Sequence, residues 1–136
     1  PISDLIAAVG GLPDDYGKIV SGGPMMGKAL NSLKAPVVKG TSGILIFNKN
    51  KIKRPAEHNC IRCGRCVSAC PMGLEPYLLE KMVNNQMWTE AENERILDCM
   101  ECGSCHFTCP SGRPLLDFLR VGKITVGKIV RTRVNN

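Results

Sequence analysis

Apolar residues at Ile2, Leu5, Ile6 and Val9 recur at i, i+3, i+4 and i+7, the spacing that lines one face of an α-helix. Ser3 is placed to cap that helix, and Gly10-Gly11 would stop it. Short apolar runs follow at Ile19–Val20, Val37–Val38 and Ile44–Phe47, separated by Gly and Pro, and predict three short strands. A sheet this small leaves an open edge and an unfilled face, so a further hairpin is expected upstream. On that ground the chain reads as cut from a longer protein. Gly22-Gly23-Pro24-Met25-Met26-Gly27 lacks the G-x-G-x-x-G order of a dinucleotide loop and predicts a tight turn with its methionines packed beneath. Lys49–Arg54 is a basic, polar linker, which puts a domain boundary between residues 50 and 51.

Beyond the linker the apolar pattern changes to helical spacing. Pro76 suits a first helical turn, followed by an apolar stripe of Leu78, Leu79, Met82 and Val83. Thr89 and Glu92 have capping-box spacing and predict a second helix running toward Leu97. Pro114 opens a third, with Leu115, Leu116, Phe118 and Leu119 on its buried side, and Gly122 and Gly127 weaken its continuation.

These helices flank an internal repeat. Cys60–Gly73 reads CIRCGRCVSACPMG and Cys99–Gly112 reads CMECGSCHFTCPSG, 39 positions later (Cys60 against Cys99). Both fit C-x-x-C-G-x-C-x-x-x-C-P-x-G. The C-x-x-C-x-x-C-x-x-x-C-P run is a ligand pattern of [4Fe-4S] clusters. Two residues between ligands let a curled loop aim three sulfurs at one cubane, while three more carry the fourth cysteine past it. In two-cluster ferredoxins that fourth cysteine binds the other cluster. The expected ligand sets are therefore Cys60, Cys63, Cys66 and Cys109 for one cluster, and Cys99, Cys102, Cys105 and Cys70 for the other. Structural zinc wants two Cys pairs across a longer loop, and thioredoxin-type chemistry wants one exposed C-x-x-C, so both fit less well.

The neighbours carry smaller expectations. Gly64 and Gly103 permit the tight loop, and Pro71 and Pro110 turn the chain beside the fourth ligand. Ile61, Val67, Ile96, Phe107 and Phe118 are candidates for an apolar wall that limits water access. Ser104 and Thr108 are candidates for hydrogen bonds to sulfur, against a plain surface or helix-capping role. His58 and His106 are not needed as ligands, because eight cysteines fill eight sites.

Composition adds limits. At 136 residues the chain has room for one ordinary domain or two small ones, and with only 4% aromatic residues its core calls for a staple. No apolar run approaches the roughly 18 residues of a spanning helix, and Pro1–Gly11 does not resemble a signal peptide, so the expectation is a soluble, intracellular chain with reduced thiols. The formal charge of +6 falls to about +2 once two clusters, each near −2 with its thiolates, are counted. With so few rings for base stacking, nucleic acid is not an expected partner. No acid–base pair, nucleophile set or phosphate loop is visible, so electron transfer without a catalytic site of its own is expected.

The order of motifs carries a resemblance over nearly the whole chain. GKIVSGGPMMG at Gly17–Gly27 and PVVKGTSGILIF at Pro36–Phe47, followed by CIRCGRC and DCMECGSC, strongly resemble the C subunit of Rnf-type electron transport complexes. The resemblance implies an α+β fold, with residues 1–50 as a partial β-grasp ligand-binding domain (helix plus short strands). Residues 51–136 would then form an α-helical dicluster ferredoxin domain. It implies a peripheral subunit on the cytoplasmic face of the cell membrane, with the other subunits of the complex and ferredoxin or another redox protein as partners. That setting couples ferredoxin–NAD electron transfer to ion transport. FMN and NADH would be bound only by an upstream part absent from this sequence. The cobalamin reductase of bacterial microcompartments is similar in layout, and His58-Asn59 stands where the family pattern has proline. Two further readings stand beside these: a free-standing iron–sulfur carrier, and an interaction module whose clusters are only a folding staple.

Overall fold

The computed structural model describes residues 1–135; Asn136, the last residue of the second expected domain, lies outside the described residues. The chain divides into two units, Pro1–Arg54 and Pro55–Asn136, a boundary four residues beyond the expected one.

The first unit is a helix and a small antiparallel sheet. Helix α1 (Ile2–Ala8) buries Ile2 and Ile6, while Leu5 and Val9 are exposed, so only half of the expected stripe faces the core. Ser3 lies inside the helix, its hydroxyl bonded to Asp4 Oδ1, and Pro1 holds the capping position instead. Strands β1 (Tyr16–Ser21), β2 (Lys28–Ala29) and β3 (Ile44–Asn48) form a sheet in the order β2-β1-β3. Val37–Val38 forms no strand. Both valines are exposed, in a turn closed by the Thr41 hydroxyl and amide against Val38. The segment joining β1 to β2 is the expected tight turn, but Met25 and Met26 are exposed rather than packed beneath it. Its closeness falls on Gly27: a Cβ there would collide with Val20 Cγ1 and stand 2.5 Å from the Gly23 carbonyl oxygen. The core is correspondingly slight, with Ile2, Ile6 and Ile19 buried and Leu12, Leu30, Leu33, Ala35, Ile44 and Ile46 half-buried around them.

The second unit is helical: α2 (Arg65–Ser68), α3 (Pro76–Asn84), α4 (Trp88–Asn93), α5 (Ser104–Phe107) and α6 (Leu115–Val134). The repeat in sequence is a repeat in structure, since α5 and the start of α6 follow α2 and α3 by the same 39 positions. Pro76 and Pro114 stand at the helix starts as expected. Thr89 does not cap α4: the helix begins one residue earlier, with Met87 at its N-cap. Leu97 falls in a separate 3₁₀ turn, Ile96–Asp98.

Gly122 and Gly127 do not weaken α6, which runs 20 residues without a break. The reason is packing. A Cβ on Gly122 would collide with Val83 Cγ2 and stand 2.5 Å from Ile96 Cδ1, so the glycine lets α6 lie directly against α3 and the 3₁₀ turn. Val83 and Gly122 are equivalent positions of the two repeats, a large residue seated on a small one. Leu79, Ile96, Leu115, Leu119 and Val126 are almost fully buried around this contact. Among the described residues no helix is long and apolar enough to cross a membrane.

Candidate metal centre

The two cysteine runs build the same backbone twice. Cys60 and Cys63 lie on the loop before α2, Cys66 inside α2 and Cys70 just after it; Cys99, Cys102, Cys105 and Cys109 repeat this around α5. Gly64 and Gly103 have φ of 75° and 83°, the left-handed conformation expected of them, and each leads into a short helix. Residue type alone did not mark Arg62 and Glu101, also 39 positions apart, which have φ of 54° and 56°. Holding L-residues in that region costs roughly 1–2 kcal/mol each, and such strain collects where a loop is shaped for a task.

The eight sulfurs sort into two sets. Cys60, Cys63, Cys66 and Cys109 line one cavity of about 330 Å³, with Pro110, Tyr77 and Arg113. Cys99, Cys102, Cys105 and Cys70 line a narrower one of about 20 Å³, with Pro71, Leu116 and Leu119. Each cavity takes three cysteines from one run and the fourth from the other. None of the eight is in a disulfide. Among the described residues, no three His, Cys, Asp or Glu side chains converge tightly enough to hold a single metal ion. Sulfurs standing around a void suit a larger polynuclear core. The narrower cavity is smaller than such a core and would have to widen to take it.

Burial separates the sulfurs. Cys66, Cys99 and Cys105 are buried, whereas Cys60 and Cys63 are exposed. Burial pushes the Cys66 and Cys99 thiols above the ordinary value and takes Cys105 up to about 12. A lone buried thiolate is unfavourable, so this donor set calls for a cationic core to compensate it. Cys102 goes the other way, because its Sγ lies 3.4 Å from Ser104 Oγ, which lowers its pKa. Ser104 thus reaches sulfur as anticipated. Thr108 does not: its hydroxyl donates to the Ser104 carbonyl within α5. His58 is held by its backbone, its N–H donating to the Ser111 carbonyl.

The expected apolar wall is only partly built. Val67 and Phe118 are half-buried against the core and Ile96 is fully buried, but Ile61 and Phe107 are 68% and 79% exposed. Ile61 still lines the mouth of the first cavity, whereas Phe107 ends α5 with its side chain outside the core.

One pair was missed in the sequence. Arg113 Nη2 donates to Glu80 Oε1 at 2.6 Å, with the two side chains 17% and 6% exposed. This hydrogen bond holds the Arg113 guanidinium pKa above its ordinary value. Superposing the repeats would have found it, because Leu74 and Leu119 occupy the equivalent positions.

Residues 59–113 match the 4Fe-4S dicluster domain family. The chain is 46% identical, over 90% of its length, to the C subunit of the Na⁺-translocating ferredoxin:NAD⁺ oxidoreductase complex of Acetobacterium woodii, of which it covers 28%. It is 49% identical, over 86% of its length, to the proton-translocating counterpart of Clostridium ljungdahlii, of which it covers 26%. The C subunit of the ion-translocating oxidoreductase complex of Methanosarcina acetivorans is 40% identical over 93% of the chain, which covers 28% of that protein. The chain thus spans about a quarter of the length of these relatives. The dicluster match and the eight cysteines together indicate two [4Fe-4S] clusters. Residues 59–113 belong to the 4Fe-4S dicluster domain family, within a chain that over most of its length is similar to the C subunit of ion-translocating oxidoreductase complexes.

Proposed function

We propose that the second unit relays single electrons through two [4Fe-4S] clusters, as part of a subunit of a membrane-bound ferredoxin:NAD oxidoreductase coupled to ion transport. Cys60, Cys63, Cys66 and Cys109 hold one cluster, and Cys99, Cys102, Cys105 and Cys70 the other. The observation that carries this reading is the exchange of the fourth cysteine between the two cavities. When bound, such clusters supply one-electron exchange. The chain's own part is to hold two ligand sets in one helical core, with Ser104 polarising the Cys102 sulfur and Gly64 and Gly103 curling the loops. Likeness to the C subunit of these complexes supports their other subunits as partners, ferredoxin or another redox protein as a redox partner, and a peripheral position on the cytoplasmic face. The first unit is then the end of a β-grasp domain, a reading supported by its short sheet and by the motifs it shares with the family. On the same reading, FMN and NADH would be bound outside the residues of this sequence.

Anaerobic reconstitution tests the reading. About eight iron and eight acid-labile sulfide per chain are expected, with two reversible one-electron waves in a redox titration. Cys109→Ser and Cys63→Ser are expected to perturb the same wave, and Cys70→Ser and Cys102→Ser the other. Near-zero sulfide would refute the clusters, and redox inertness would leave them only a folding role. A Cys109→Ser effect on the wave of Cys102 would refute the exchange.

A further inference from the structure

The two cysteine cages are near-copies in sequence and backbone, and they differ most sharply in one buried pair. Arg113 lines the first cavity beside Cys60, Cys63, Cys66 and Cys109. Its Nη2 is bonded to Glu80 at 2.6 Å, and its Nη1 lies 3.7 Å from Glu57 Oε1 and 3.4 Å from the His58 carbonyl oxygen. Its Nε is buried and has no hydrogen-bond partner among the described residues. A buried N–H left without an acceptor is destabilising and needs an explanation, such as an acceptor supplied by a bound group. The same positions in the other repeat are Leu74 and Leu119, both buried, and Leu119 lines the second cavity. One cage therefore has an ion pair where the other has two leucines.

We propose that Arg113 is a tuning residue of the first cage. Its Nε–H and positive charge stabilise the reduced state of the cluster held by Cys60, Cys63, Cys66 and Cys109, making that cluster the more easily reduced of the two. Arg113 lines the cavity and its partner Glu80 does not, so the pair presents its positive end to the cage. Positive charge and hydrogen bonds toward cluster sulfur both raise a reduction potential. The second cage has its own sulfur contact, Ser104 Oγ at 3.4 Å from Cys102, but that hydroxyl is neutral, and the nearby cation Lys123 donates to the Cys99 carbonyl rather than to sulfur. Both cations have carboxylate partners, but Lys123 is about one-third exposed, whereas Arg113 is 17% exposed and lines its cavity with an Nε–H left over. An electron shared between the clusters thus rests on the first, the cage whose Cys60 and Cys63 are exposed.

This inference rests on the two-cluster reading above, and the test keeps the two apart. The full chain is reconstituted anaerobically, and the reduction waves are followed by electron paramagnetic resonance during a potentiometric titration, with Cys63→Ser marking the wave of the first cage. Glu80→Leu/Arg113→Leu copies the other repeat and leaves no buried charge unpaired, so it is expected to fold. It should lower the first-cage potential by about tenfold in the reduction equilibrium, ~59 mV for one electron, and leave the second in place. Glu80→Gln keeps Arg113 and strips its counter-charge, so it should move the same wave upward. A first-cage wave that stays put in both variants, or moves by as much as the second, overturns the role of Arg113. Iron, sulfide and two waves in the parent protein would then still stand, whereas their absence would overturn the reading beneath it.

Discussion

Alanine at Gly122 puts a methyl group where α6 meets α3, and the structure sets both sign and size of the effect. In an ordinary helix Gly→Ala gains about 1 kcal/mol of helix propensity. Here the new Cβ would overlap Val83 Cγ2 and lie 2.5 Å from Ile96 Cδ1, two side chains that are 5% and 0% exposed and have no open space to enter. Overpacking of this kind costs typically 1–3 kcal/mol, and two simultaneous overlaps put it at the upper end. The net is a loss of about 2 kcal/mol. Gly127, one and a half turns along the same helix, is the control. Its Cβ would find only Leu97 Cδ2, at 3.9 Å, so Gly127→Ala should gain up to ~1 kcal/mol. Cluster loss makes melting irreversible, so the cluster-loaded variants are compared by circular dichroism at one heating rate. Gly122→Ala should lower the apparent Tm by on the order of 10 °C and Gly127→Ala raise it by a few degrees, for a unit of this size. Trimming the neighbour, in Val83→Ala/Gly122→Ala, should recover part of the loss. A Gly122→Ala protein as stable as the parent would refute the close-packing account of this helix pair.

Two further outcomes are expected. In the cluster-free chain the Ser104 hydroxyl lowers the Cys102 pKa, while burial takes Cys105 to about 12. As pH rises from about 7 to 9, thiolate therefore forms at Cys102 first, and peptide mass spectrometry after timed iodoacetamide treatment should show Cys102 labelled well before Cys105. Ser104→Ala should slow Cys102 alone, and Cys105 labelling first would contradict the burial argument. In the first unit, Gly27→Ala forces a Cβ onto Val20 Cγ1 and the Gly23 carbonyl, at roughly 1–3 kcal/mol. Hydrogen exchange should then quicken at the Leu30 amide, which donates to the Ile19 carbonyl across β1 and β2. Unchanged protection there would show that the turn adapts.

Elements carried by strong local signals were legible in advance. The two proline-led helices, the strands at Ile19–Val20 and Ile44–Phe47, and the left-handed Gly64 and Gly103 needed only periodicity and backbone sterics. Local signals also failed where a competing signal a few residues away outweighed them. Ser3 and Thr89 look like caps, but Pro1 and Met87 hold the capping positions. Val37–Val38 has strand-forming residues, yet the Thr41 turn keeps it out of the sheet, and β2, only two residues long, was too short to leave a pattern.

The chemistry of this chain was written in one dimension. Thiolate ligands need fixed short spacings to surround a cubane, and a spacing is a property of sequence. The doubled run therefore determined the cofactor class, and the helical spacing around it the helical character of the second unit. What the tertiary structure decided is where the two repeats stop being alike. Gly122 reads as a weak point of its helix until Val83 is seen seated on it, and Glu80 has no assigned role until Arg113 arrives from 33 positions away. Close packing and buried ion pairs depend on distances between residues remote in the chain, and only the folded chain brings those residues together.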